Sequence, residues 1–188
     1  MLHAVLSSIG RALRPVRPGL TALAGARLGT GSPITVSTSS FNGRMAERLT
    51  ADGQGVSPAL NWSGVPPQTR SVVLLVQDAD IPAPRPLTNL ILYAINPALD
   101  HLAEGELPRR LRGPSPRGYR CGRNGFGQTG WLPPSPPPGH GAHRYAFQVF
   151  ALNTELRFAI PPGRTTLIDA MAGHVVGFGQ VIGTYERH

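Results

Sequence analysis

Residues 71–80 read SVVLLVQDAD, and the fold turns on this stretch. Val72–Val76 form an unbroken apolar run that closes on two acids. A run this short, without alternation and rich in β-branched residues, reads as a central strand buried on both faces. Moving outward, LTNLILYAIN (residues 87–96) is a second such strand and HRYAFQVFAL (residues 143–152) a third. Alternation in the third puts His143, Tyr145, Phe147 and Val149 on one face. ITVSTSSF (residues 34–41) alternates apolar and hydroxylic residues, the pattern of a half-buried strand. The connections SGVPPQT, IPAPRP and WLPPSPPPGHG are turn chemistry, and residues 109–138 form a long excursion rich in Gly, Pro and Arg. Towards the C-terminus, Thr166 ahead of LIDAMAGHVVGF, with Asp169 three residues on, predicts a helix with a near capping box. The closing GQVIGTYERH predicts a short strand and tail. The fold class expected is mainly β, antiparallel sheets with one or two peripheral α-helices.

Composition agrees. With 23 Gly and 20 Pro but only 15% charged residues, the chain of 188 residues suits a turn-rich β fold better than a helical bundle. All 18 basic residues are arginine, giving a net charge of +8. The arginines are scattered, with mild clusters at 11–17 and 109–123, and neither interleaves with aromatic residues as a base-stacking platform would. Specific nucleic-acid binding is therefore not expected. One cysteine, Cys121, rules out an internal disulfide and fits a reducing, cytoplasmic location. No apolar run is long enough to span a bilayer.

Residues 1–32 stand apart as a basic, partly ordered arm ahead of a single domain at 33–188; the first acid of the chain is Glu47. Apolar residues at 2, 5, 6, 9, 12 and 13 predict a short amphipathic helix that Pro15 and Pro18 stop. Three readings fit the arm: packing on the domain or a partner subunit, attachment to a membrane surface, or a targeting signal.

Several residues can carry chemistry. Asp78 and Asp80, two apart at the strand end, share a face if the strand persists, and either form a turn or shape a polar pocket. His143 and Tyr145 on one face make a donor pair suited to a phosphate or carboxylate oxygen, although a buried histidine is also often structural. His140 and His143 with Asp78 are conceivable zinc ligands on weak spacing. A hydrolase would need Ser135 or Cys121 beside His143 and Asp78, and the chain lacks a G-x-S-x-G elbow. GRNGFGQTG lacks the Lys-Ser/Thr of a phosphate-binding P-loop.

Four segments in order, GVSPALNWSGVPPQTRSVVLLVQDADIPAP, GRNGFGQTGW, PPPGHGAHRY and VIGTYER, resemble the phosphatidylethanolamine-binding protein family, above all its bacterial Raf-kinase-inhibitor-like branch. The resemblance covers residues 34–187. It implies a sandwich of antiparallel sheets and a small pocket for phosphate-like anions. The family's D-P-D-x-P motif falls on Asp78, Ala79, Asp80, Ile81 and Pro82, with Ala79 replacing a proline. Its G-x-H-R-Y motif falls unchanged on Gly141–Tyr145, and its Pro-rich wall on residues 134–137, including Ser135. Where the family usually has His-Trp, this chain has Asn89 and Leu90. Losing an imidazolium should weaken dianion binding by about 1–2 kcal/mol, and Arg85 stands close enough in sequence to replace the charge. The ligand set implied is thus Asp78, Asp80, Pro82, Asn89, Ser135, His143 and Tyr145, with no cofactor and no metal. The resemblance further implies a non-catalytic binding protein, a lipid head group or small anion as ligand, a kinase or protease as protein partner, and a homodimer. The alternative is an enzyme using Asp78 and His143 as a base pair.

Overall fold

In the computed structural model, which describes residues 2–187, the run at 71–80 becomes strand β4 (Ser71–Asp78), buried at every position. The remaining strands are β1 (Ser32–Pro33), β2 (Thr35–Ser37), β3 (Leu60–Ser63), β5 (Leu87–Ile95), β6 (His101–Leu102), β7 (Arg120–Cys121), β8 (His143–Leu152) and β9 (Val175–Tyr185). A six-stranded sheet has the order β1-β9-β8-β4-β5-β7, and a three-stranded sheet the order β2-β3-β6. Every pairing is antiparallel except β1 with β9.

The side-chain alternation of β4 explains its uniform burial. Val72, Leu74 and Val76 pack with Tyr145, Phe147 and Val149 of β8 and with Leu60 and Trp62 of the small sheet. Val73 and Leu75 point the other way, towards Phe150, Ile91 and the helix residues Leu167, Ile168 and Met171. One face is thus a sandwich core and the other is roofed by helix, so neither face of the run meets water.

The helices are α1 (Leu2–Leu13), α2 (Ala24–Leu28) and α3 (Arg164–Met171). The arm does not stop at the domain edge: Leu23 and Ala24 are buried, and Ser32 and Pro33 pair with β9. Two expectations need correction. α3 starts at Arg164, with Gly163 as its N-cap and no side-chain cap, so Thr166 lies inside the helix. The helix also ends before GHVVGF, because Gly173 takes a left-handed backbone (φ 79°) and Val175 onward pairs with β8 instead. The predicted short terminal strand is therefore an eleven-residue strand, and its apolar residues share a helix-compatible spacing with a strand's.

Candidate functional site

Antiparallel register brings the candidate residues together. Asp78 at the end of β4 lies opposite Tyr145, two residues into β8, whose first residue is His143. His143 Nδ1 is 2.8 Å from Asp78 Oδ2, and its ring stacks 6.4 Å from that of Tyr145. All three residues are essentially closed to solvent.

The chain of contacts continues past His143. Its Nε2 is 2.8 Å from His140 Nδ1, and His140 Nε2 is 2.8 Å from the Leu13 carbonyl oxygen. The carbonyl can only accept, so His140 donates through Nε2. Burial is the main influence lowering the His140 pKa, aided by the nearby charges of His143 and Arg17 and opposed by the Leu13 carbonyl. A neutral His140 then accepts at Nδ1, so His143 donates through Nε2 and aims an N–H away from Asp78. Three hydrogen bonds among two rings, one carboxylate and one carbonyl use three protons, which leaves the Asp78–His143–His140 group neutral overall. His140, which the sequence places in a Gly/Pro loop, is fully buried and is His143's direct partner.

α1 closes this end of the sheet. Arg14 Nε donates to the Gly139 carbonyl at 2.9 Å, and Arg17 donates to the carbonyls of Ala142 and His140 at 2.8 and 2.6 Å. The contact is backbone to backbone: a Cβ on Gly10 would run into the Pro138 carbonyl, and one on Gly139 (φ 75°) into Ser7. The ligand set implied by the resemblance leaves out His140, which the sequence grouped with His143 and Asp78 only as a conceivable zinc ligand, and the expected packing of the arm on the domain carried no link to this site. The one available signal was the pairing of His140 and His143 in a Gly/Pro loop.

Asp78 and Asp80 meet in a turn, Asp80 N–H donating to Asp78 Oδ1 at 2.8 Å, but their carboxyls take different partners. β4 ends at Asp78, and Asp80, also fully buried, turns to Arg144, accepting from its backbone N–H and from Nε and Nη2 at 2.6–2.9 Å. Burial pushes the Asp80 carboxyl up, but these bonds and the charges of Arg144 and Arg17 outweigh it and hold the group below the usual carboxylate range.

The other predicted residues are spread more widely. A register shift in the β4–β5 pairing lies at Asn89, whose Nδ2 donates to the Leu132 carbonyl at 2.9 Å; its buried Oδ1 has no partner. The Tyr145 hydroxyl is likewise buried without a well-formed hydrogen bond, although the Asp78 side chain and the Ser135 backbone lie beside it. Burial first, and then the charge of Asp78, keeps that phenol protonated, while the Ser135 backbone acts in the opposite sense. The Ser135 side chain itself is exposed. Pro82 is half-buried in the β4–β5 loop, and Arg85 of that loop lines a different cavity. Cys121 on β7 is buried, and desolvation pushes its thiol up to about 12, the opposite of an activated nucleophile. Among the described residues no group of three or more His, Cys, Asp or Glu is arranged to hold a metal ion, and no helix is long and apolar enough to cross a membrane.

The geometry amounts to a buried donor pair, His143 Nε2–H and the Tyr145 hydroxyl, oriented by Asp78 and stoppered by His140. Comparison with known proteins adds a family model described as phosphatidylethanolamine-binding protein, which matches residues 36–186. A UPF0098 protein of Pyrococcus abyssi is 36% identical over 163 residues, covering 85% of this chain and 90% of the relative. One from Aquifex aeolicus is 37% identical over 161 residues, covering 84% and 91%. The crystal structure of a putative phosphatidylethanolamine-binding protein homolog from Chlamydia trachomatis matches with a TM-score of 0.73 at 30% identity, covering 84% of this chain and all of that one. YbcL of E. coli shares the fold, with a TM-score of 0.74 at 24% identity over 82% of this chain and 99% of its own.

Proposed function

The chain belongs to the phosphatidylethanolamine-binding protein family, and from that premise we propose that it is a non-catalytic binding protein for a small anion of the phosphate or lipid-head-group kind. The ligand seats against His143 and Tyr145, with Asp78 behind. The observation that carries this reading is the Tyr145 hydroxyl, a buried donor without a well-formed hydrogen bond, beside the Asp78 carboxyl and stacked on an imidazole whose Nδ1 engages that same carboxyl. Buried polar groups are nearly always paired, so one left unpaired calls for a partner such as a bound ion or water. A phosphate or carboxylate oxygen takes the place of His140 Nδ1 as acceptor from His143, and a second oxygen accepts from Tyr145. Entry requires the His140 ring to turn away and α1 to lift, because His140 is tied to Leu13.

Nothing in the arrangement favours the enzyme reading: His143 Nε2 faces another imidazole, not a hydroxyl or thiol. Regulation of a kinase or protease by contact and a homodimeric state belong to the same proposal and rest on family resemblance alone, and a cytoplasmic location rests on the single cysteine. The test is a thermal-shift series with phosphate, phosphoethanolamine and acetate on the intact chain and on His143→Ala. Stabilisation by the phosphorylated compounds that disappears in the variant supports the proposal. Turnover of a chromogenic ester that His143→Ala abolishes would replace it with the enzyme.

A further inference from the structure

Away from His143, a cavity of about 300 Å³ opens where three distant segments meet: the β4–β5 loop, the turn after β7, and the start of α3. Each segment contributes one arginine, Arg85, Arg123 and Arg164, and no carboxylate lines the cavity. The segments are pinned by backbone bonds, Arg123 N–H to the Pro162 carbonyl at 2.7 Å and Gly125 N–H to the Thr88 carbonyl at 2.8 Å. The cationic wall is thus built by the fold and does not depend on loose side chains alone.

The charges in this wall are unbalanced. Arg85 and Arg123 are exposed and take part in none of the side-chain hydrogen bonds or ion pairs among the described residues. Arg164 donates Nη2 to the Ala22 carbonyl at 3.0 Å, but its Nε is buried with no partner. Burial, and then the like charges of Arg85 and Arg27, lowers its pKa. Like charges gathered without a counter-charge destabilise the fold unless an anion joins them. α3 adds to the pull. Its N-cap, Gly163, supplies no side-chain acceptor, and Gly163, Arg164 and Thr165 all line the cavity, so the positive end of the helix opens onto it. The rest of the lining includes Ile81, Pro86 and Leu87, an apolar floor beside the arginines.

We infer that this cavity is a second anion site, separate from the His143 pocket, taking a small phosphate monoester with an apolar substituent. Guanidinium forks match the oxygens of a phosphoryl dianion two at a time, and its three oxygens and double charge can engage more than one fork, where a carboxylate such as acetate engages one and chloride none. The volume is at the low end for a ligand pocket, enough for a phosphoryl group and a ring-sized substituent.

The experiment is calorimetric titration of the intact chain with phenyl phosphate, inorganic phosphate and benzoate, at low and moderate salt. The proteins are wild type, the double variant Arg85→Gln/Arg123→Gln, and His143→Ala. Arg85 and Arg123 hold no partner in the fold, so the double variant keeps its structure, which an unchanged melting temperature verifies. Expected is binding of phenyl phosphate in preference to inorganic phosphate and benzoate, retained in His143→Ala, weakened at least tenfold in the double variant, and falling with salt. Preference for inorganic phosphate under the same mutational pattern keeps the anion site but overturns the apolar floor as a determinant. Binding unchanged in the double variant, or lost only in His143→Ala, overturns the second site and assigns the phosphate to the first. Absence of binding to all three probes overturns it as well.

Discussion

Replacing His140 with alanine should move stability and affinity in opposite directions. The substitution removes two buried hydrogen bonds, to His143 and to Leu13, at about 1 kcal/mol each, and leaves the His143 Nε2 group buried without an acceptor for about 1 kcal/mol more. The total is about 3 kcal/mol, which in a chain of this size is a fall in melting temperature of roughly 6–12 °C. An anion entering the wild-type pocket must displace the same His140–His143 bond, at about 1 kcal/mol. With that competitor gone, phosphate should bind about fivefold more tightly. Urea denaturation monitored by tryptophan fluorescence gives the first quantity, and calorimetric titration with phosphate or phosphoethanolamine the second. His143→Ala is the control and should show no binding. If His140→Ala weakens binding as His143→Ala does, His140 contacts the ligand and is not its competitor. If stability is unchanged, the chain from Asp78 to Leu13 does not hold the site together.

Three further outcomes follow from the packing. Gly10→Val drives a side chain into the Pro138 carbonyl, so α1 should detach and trypsin should cut after Arg11, whose neighbour is Ala12, much faster than in wild type, with little change in the melting of the β core. Asp80→Asn breaks a pair whose carboxylate is buried but whose Arg144 partner is 38% exposed, and should cost about 1–3 kcal/mol at pH 7. Because Asp80 is held below its unfolded value, its contribution is complete above about pH 4 and is lost as pH falls through the folded pKa, so urea melts of wild type and variant should converge at low pH. Cys121, with its thiol pushed up to about 12, should resist a thiol-specific disulfide reagent in the native protein and react promptly once urea unfolds it.

The core was legible because strand patterning is local. The run Val72–Val76 and the alternation in His143–Val149 each carry their burial in consecutive residues, and both faces came out as read. Asp78, His143 and Tyr145 meet for the same reason, since antiparallel register follows from the strands once they exist. What was not legible depends on contacts between distant segments. The bond from His140 to Leu13 spans 127 positions, and no local pattern says that a helix at the chain start lies on a loop near its end. The Asp80 carboxyl took a different partner from that of Asp78 because the strand ended two residues earlier than the pairing required. Arg85 was matched to Asn89 by proximity in sequence, whereas the fold turns it towards Arg123 and Arg164. In the C-terminal region, Val175, Val176 and Phe178 suit a helix and a strand equally, and the pairing with β8 decided between them.

The most direct test of the account is a titration of the uniformly ¹⁵N-labelled protein with phosphoethanolamine, following the ring nitrogens of His140 and His143 together with the backbone amides of Leu13 and Arg14. The account predicts that both rings and both amides shift along one saturable curve, because the ligand that reaches His143 must release His140 and with it the arm. Rings that stay unperturbed through saturation, or a His143 shift with the Leu13 and Arg14 amides unmoved, would contradict it.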